Sequence, residues 1–399
     1  MPWEAKTVEM TREEFINEVI AHHKSKAKLC REYGISRPTG DKWLKRYKNG
    51  EGFKDRSHRP FKEPPNKTAT QTEQVIVERR QQEPGLGAVK LKRILENEGK
   101  QGLPSHSTIN NILKRNHLIR AEDSLAAKPT VRFEHEYPNQ MWQADFKGHY
   151  QLGNGDRCHP LSIVDDCSRY CLCADPKMNE RREGVQLSFE RVLREYGQPR
   201  ILLCDNGNPW GAVQSSGFSG FELWLMDHGI LVMHIRPGRP RTQGKVERFN
   251  GSYKAERLRF HIPYDMQEAK QNLMEYQEFY NHIRPHHALG LDVPAKHYQV
   301  SEVAFHEEIE EWKYSGNNEV RKIKSSGYLT FGGQGYYFSE AFRGREIELR
   351  QSTSNRDLFY LCYREFRIGR LDVKNRVITS RKAYLIHGDP RIGEDVCRG

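Results

Sequence analysis

At 399 residues the chain is too long for one ordinary domain; it is polar, with 36% hydrophobic residues, yet its 10% aromatic content argues for packed cores rather than disorder. The net charge of +11 and a pI near 9.1 point to an anionic partner, and residues 1–120, with 25 basic against 15 acidic residues, hold most of that surplus. The sequence has no apolar run of about 18 residues, no apolar core in the opening MPWEAKTVEM and no C-x-x-C pair, which argues against a membrane span, a secretion signal and a cysteine zinc module and predicts a cytoplasmic, nucleoid-associated protein.

In chain order, residues 1–48 read as a helix-turn-helix domain. Thr11-Arg12-Glu13-Glu14 is a capping box that predicts a helix to about residue 21, and a second helix follows over 26–33. Tyr33-Gly34-Ile35-Ser36 then makes a tight turn into a helix carrying Trp43, Leu44 and Tyr47, with Pro38 in its first turn. That last helix displays Arg37, Thr39, Lys42, Lys45 and Arg46, a set suited to phosphates and base edges. The alternative is a plain three-helix bundle with a basic face. His22, His23 and Cys30 lack a fourth ligand at metal spacing.

Residues 49–70, rich in Gly, Pro and charge, form a basic linker whose Arg56 and Arg59 could lie in a minor groove. Residues 71–120 form a second helix-turn-helix domain, with helices near 72–82, 88–98 and 107–116. Ile109, Ile112 and Leu113 give its last helix a core stripe, and Lys114 and Arg115 lie at the end. A linker covers 121–137. From 138 to 297 the alternating strands MWQADFKGHYQL, HPLSIVDDCSRYCLCADP and RILLCDNG precede and mix with helices near 180–196, 220–228, 244–259 and 266–283, which is an α/β pattern. Residues 298–320 are a charged connector. Short Gly-punctuated strands over 321–399 predict a small antiparallel β-barrel. Its Arg343, Arg345, Arg350 and Arg367 suit DNA or a solvated surface equally.

Three acids stand out by position. Asp145 lies mid-strand, on the face opposite Trp142, Ala144 and Phe146, together with Gln143 and Lys147. Asp205 ends an apolar strand beside a Gly turn, where sites at strand carboxyl ends form. Glu247 lies on a helix after the basic, glycine-rich run GRPRTQGKVERFNG, which contains Arg239, Arg241, Lys245 and Arg248, and it shares a face with Gly244, Gly251 and Lys254. Breaking a phosphodiester requires activating a nucleophile and offsetting charge on phosphate oxygens. Two Mg²⁺ ions about 4 Å apart do both, Mn²⁺ can substitute, and hard carboxylate oxygens suit either. On this reading Asp145, Asp205 and Glu247 hold the metals while the basic run and Lys254 hold the DNA. Asp156, Asp165, Asp166, Asp227 and Glu256 compete as acids; Asp165-Asp166 reads as a hairpin turn. Trp210 reads as a loop anchor or as a stacking platform for a base.

The order WQAD, VDDCSRY, CDNG, GRPRTQGKVERFNGSYKAE and YNHIRPHHALGLDVPAKHY resembles the catalytic core of the retroviral-integrase superfamily, and most nearly the bacterial insertion-sequence DDE transposases. The resemblance implies an RNase H-like fold over 138–297, a metal-binding triad of Asp145, Asp205 and Glu247, and contact of Lys254 with DNA near the reacting end. It further implies binding of terminal inverted repeats, cleavage that frees a 3′-OH, and joining of that 3′-OH to target DNA by a homodimer or higher oligomer. The expected partners are double-stranded element ends and target; no membrane is expected, and the sequence has no G-x-x-x-x-G-K-[ST] loop to call for a nucleotide cofactor. One departure is the 42-position interval from Asp205 to Glu247, longer than the family's usual one, whose excess falls in an inserted loop over 208–220. The rival readings are a catalytically inactive DNA-binding regulator and a Mg²⁺-dependent nuclease.

Overall fold

The computed structural model describes residues 7–55, 67–119, 135–207, 209–211, 217–235, 243–314, 316–379 and 383–386. The chain divides into two compact units, 1–68 and 69–399.

The first unit is a helical trio: α1 (Val8–Ile20), α2 (Lys26–Glu32) and α3 (Arg37–Lys48). Helix α1 starts one turn before the expected capping box, because Thr7 supplies the cap: its side chain accepts from Met10 N, and Thr11 Oγ1 bonds back to Thr7 O. Gly34, at φ +68°, makes the turn before α3, and Ser36 caps that helix. Phe15, Ile16, Leu29, Cys30 and Trp43 form the core. Gly40 lets α3 approach closely, since a Cβ there would lie 2.8 Å from Cys30 Sγ.

The second unit begins with α4 (Thr70–Gln82), α5 (Ala88–Asn97) and α6 (His106–Arg115), the last capped by Ser105. It continues with β1 (Met141–Phe146), β2 (Tyr150–Gln151), β3 (Arg157–Asp165), β4 (Cys171–Lys177), α7 (Arg182–Tyr196), β5 (Ile201–Cys204), α8 (Gly220–Asp227), β6 (Leu231–His234), α9 (Gly244–Tyr253) and α10 (Met266–His282). Residues Lys254–Leu258 extend α9 as a π-helical turn. The sheet runs β4–β3–β1–β5–β6, with β3 antiparallel to β4 and β1, and with β1, β5 and β6 parallel; β2 pairs with the start of β3. This is the RNase H-like arrangement of an antiparallel meander continued by parallel strands. One face packs against α7 and α8 through Trp142, Ala144, Phe189 and Phe221. The other packs against α9 and α10 through Val246, Phe249, Tyr276 and Tyr280, and this core runs on without a break into Ile76, Leu91 and Ile112 of α4–α6.

The C-terminal strands are β7 (Glu319–Lys322), β8 (Tyr328–Phe331), β9 (Gln334–Tyr337), β10 (Glu346–Gln351), β11 (Leu358–Tyr363), β12 (Phe366–Asp372), β13 (Val377–Thr379) and β14 (Tyr384–Leu385). Among the described residues they do not close into the expected barrel. They form a sheet β7–β10–β11–β12–β13, with β14 also on β12, and a separate β8–β9 hairpin. The apolar face meets another surface instead of only its own strands: Ile347, Leu349, Leu361 and Phe366 share one core with Met141, Ile201, Leu203 and Met226. Buried Asp227 on α8 fixes the join, accepting from Arg345 at 2.6 Å and from the Tyr363 hydroxyl. Among the described residues no helix is long and apolar enough to cross a membrane.

Candidate active site

Strands β1 and β5 lie side by side and parallel, with Gln143 opposite Leu203. Asp145 and Asp205 each stand two residues beyond that pair, at the carboxyl ends of neighbouring strands. Asp145 is half-buried and held by Asn250, which is itself held by Ser162. Asn250 Nδ2 on α9 donates to its Oδ2 at 3.2 Å, while Asn250 Oδ1 accepts from Ser162 Oγ at 2.8 Å, and Ser162 is the residue opposite Asp145 on β3. Asp205 closes a small turn by accepting from Gly207 N at 2.9 Å.

Glu247 lies in the first turn of α9 and is exposed. Two glutamines dock that helix end onto β1. Gln143 Oε1 accepts from the amides of Lys245 and Val246, at 3.2 and 3.3 Å, and Gln243 Nε2 donates to Ala144 O at 2.8 Å. The helix that carries the third acid is thereby tied to the strand that carries the first.

The electrostatics connect the three acids. Burial, then the charges of Asp205 and Glu247, push the Asp145 carboxyl up to about 7, against the opposing bond from Asn250. Partial burial raises Glu247 as well. Among the described residues no three acidic, histidine or cysteine side chains gather closely enough to hold a metal ion. Asp205 and Glu247 are thus near enough to act on Asp145 by their charge without the three being drawn together. As a donor set, three carboxylates, two of which add negative charge around Asp145, fit a hard divalent cation, which would offset that charge.

The basic residues separate into presented and engaged groups. Lys254 and Arg248 are exposed. Lys147 lies near Lys254, its pKa lowered by burial and then by the charge of Lys254. Lys245 departs from the expected DNA-facing position: its ammonium is 2.6 Å from Asp166, which is fully buried and draws it inward. Arg239 and Arg241 lie outside the described residues. In the first unit Arg37, Lys42 and Lys45 are exposed, and Thr39 is bonded to Ser36. Arg46 is buried instead, stacked over Trp43 and donating to Lys54 O at 2.7 Å, so it caps its own domain. Arg56 and Arg59 lie outside the described residues. On α6, Lys114 is exposed and Arg115 is paired with Glu73. In the C-terminal sheet Arg345 pairs with Asp227, Arg350 with Glu348, and Arg367 lies over Tyr360 and Tyr384.

The competing acids have partners of their own. Asp165 accepts from Ser168 and Asn139 in the β3–β4 turn, and Asp166 accepts from Gln143. Glu256 is clasped by Arg284. Trp210 is an anchor: it is 1% exposed, against Phe146, Phe189 and Phe221. Sequence reading missed Asn250, Gln143 and Gln243 as site residues. The available signal for Asn250 was its place three residues after Glu247 on one helix.

An RNase H-like sheet with acids at adjoining strand ends and on a docked helix, preceded by helix-turn-helix units, defines an integrase-type core joined to DNA-binding modules. Residues 135–240 and 228–294 match the integrase core domain, 11–61 a helix-turn-helix domain, and 39–113 a homeodomain-like domain. Over 161 residues the chain is 29% identical to the insertion element IS476 uncharacterized 39.2 kDa protein of Xanthomonas euvesicatoria, covering 40% of this chain and 44% of that protein. It is 26% identical over 161 residues to the insertion element IS407 uncharacterized 31.7 kDa protein of Burkholderia multivorans, covering 40% and 55%. The chain thus spans about half the length of these relatives. Among solved structures it is similar to the HTLV-2 integrase catalytic core domain in complex with magnesium, with 18% identity, 41% of this chain, 99% of that one and a TM-score of 0.33. It is also similar to a chain of the simian T-cell lymphotropic virus intasome in complex with PP2A regulatory subunit B56 gamma, with 18% identity, 64% and 84% coverage, and a TM-score of 0.34. Residues 135–294 thus carry an integrase core domain, and over 161 residues the chain is similar to bacterial insertion-element proteins.

Proposed function

We propose that the protein is a DDE transposase that binds the terminal inverted repeats of an insertion sequence, cleaves to free 3′-OH ends and joins them to target DNA. The observation that carries this reading is the placement of Asp145 and Asp205 at the ends of neighbouring strands with Glu247 on the helix docked onto β1, where burial and the charges of Asp205 and Glu247 push Asp145 up to about 7. These three residues would hold Mg²⁺, two ions in the full site, with Mn²⁺ able to substitute. Bound metal would supply charge neutralisation at the phosphate and a more acidic nucleophile.

The chain's own residues do the rest. Asn250 turns the Asp145 carboxylate, and Gln143 with Gln243 holds α9, and so Glu247, against β1. Lys254, Lys147 and Arg248 offer cations for the DNA backbone beside the acids. The exposed Arg37, Lys42 and Lys45 of α3 and Lys114 of α6 are the contacts proposed for the element end. A pair of ends brought together implies at least a dimer on DNA.

The test is nicking of a labelled element end with Mg²⁺ or Mn²⁺. Asp145→Asn, Asp205→Asn and Glu247→Gln should each lower the rate roughly 10³-fold or more while still binding the end. End-binding by a wild type that never nicks would favour the regulator reading.

A further inference from the structure

Asp205 leaves β5 at the start of the long interval to Glu247, and the direction of its carboxylate depends on what holds its peptide. The register pairs Cys204 with His234, the last residue of β6. From there the imidazole reaches past Cys204: Nδ1 lies 2.6 Å from the Asp205 carbonyl oxygen, and Nε2 lies 2.8 Å from Glu222 Oε1. Each ring nitrogen faces an oxygen that can accept from it, and the ring has one orientation that serves both contacts.

Glu222 is a firm post. It is 4% exposed and closes the capping box of α8, accepting from Ser219 N and meeting the Ser219 side chain through its own amide. Ser219 Oγ then donates to Trp210 O at 2.9 Å, and Trp210 is buried. The N-terminus of α8 therefore tethers the chain after β5 at Asp205 and again at Trp210. Asn206 Nδ2, donating to Ile235 O at 2.7 Å, ties the same turn to the residue after β6.

We infer that His234, braced by Glu222, is a positioning residue that orients Asp205 for divalent-cation binding. The inference rests on the triad reading above. A partner that fixes a metal-ligand residue acts mainly on metal affinity, whereas a residue that only stabilises the sheet edge acts on melting.

The test uses the full chain, with Mn²⁺ alone as the probe of binding and with Mn²⁺ titrated into the end-nicking reaction. Asp205→Asn is the control for the triad. His234→Phe removes both bonds, and His234→Gln keeps a donor in case the first variant fails to fold. The expected result is a Mn²⁺ dissociation constant and activation constant raised about 10-fold or more. The rate at saturating Mn²⁺ should stay within about threefold of wild type, with end binding unchanged. Glu222→Gln should shift the Mn²⁺ constants in the same direction. A folded His234 variant with wild-type Mn²⁺ constants would overturn the inference, as would one that loses saturated rate alone. If Asp205→Asn binds Mn²⁺ as wild type does, the triad reading fails, and the inference with it, by a measurement that does not involve His234.

Discussion

Asp145 sits where burial and two neighbouring carboxylates all oppose its ionisation. Its folded pKa of about 7 exceeds the ordinary aspartate value of 3.8, so the folded state binds that proton more tightly. The group's contribution therefore falls as pH rises from about 4 through 7, and above 7 the folded chain carries the full unfavourable charge. Asp145→Asn, which can still accept from Asn250, should stabilise the metal-free protein at pH 8 by about 1–2 kcal/mol, or ~2–5 °C in Tm. That advantage should shrink as the pH is lowered from 7 towards 4. Melting curves in chelator at the two pH values check this; a variant that melts below wild type at pH 8 would contradict it. The face on which Asp145 lies was legible from strand alternation alone. The residues that aim it were not: Ser162 and Asn250 are 88 positions apart, and a lone polar residue on a strand or helix carries no mark of a partner so distant. His234 was hidden for the same reason.

At the scale of elements, α4–α6 is seated on the integrase-type core through a buried ionic node. Arg284 grips Glu256 with two bonds of 2.7 Å, Lys90 of α5 lies 3.6 Å from the same carboxylate, and Arg257 donates to Glu83 at 2.7 Å. Backbone meets backbone there, since a Cβ on Gly85 would fall 2.5 Å from Glu256 Cα. Arg284→Met leaves Glu256 buried without its main partner and should cost about 3–5 kcal/mol. Gly85→Val should force the helices off this seat, at a cost of about 1–3 kcal/mol. Melting together with limited proteolysis between α6 and β1 would show both effects; wild-type melting and cleavage would refute the node's role. The helices themselves were readable from capping residues and apolar periodicity. Their seating was not, because Glu256 reads in sequence as one more charged helix residue. The C-terminal strands were legible in the same way, but alternation marks an apolar face without saying what covers it. Here that cover includes Met141, Ile201 and Leu203 of the core sheet, and the described strands stay open.

Across the whole molecule, the surplus of basic residues lies in the part of the chain that carries the helix-turn-helix matches, and the acids lie in the part that matches the integrase core. This division suits the proposed function, in which one set of elements would grip DNA and another would break it. The motif order carried the core's identity in the sequence, whereas the inward turns of Lys245 and Arg46 became visible only once Asp166 and Trp43 were placed around them. The central claim is strand transfer by the acidic triad, and a joining assay tests it most directly. Labelled donor DNA carrying the element's ends is mixed with plasmid target and Mg²⁺, and wild type is compared with Asp205→Asn and Glu247→Gln. Joined product from wild type alone, with both variants still binding the ends, is the predicted result. End-binding by all three with no joined product from wild type, or joined product from either variant at the wild-type rate, would contradict the account.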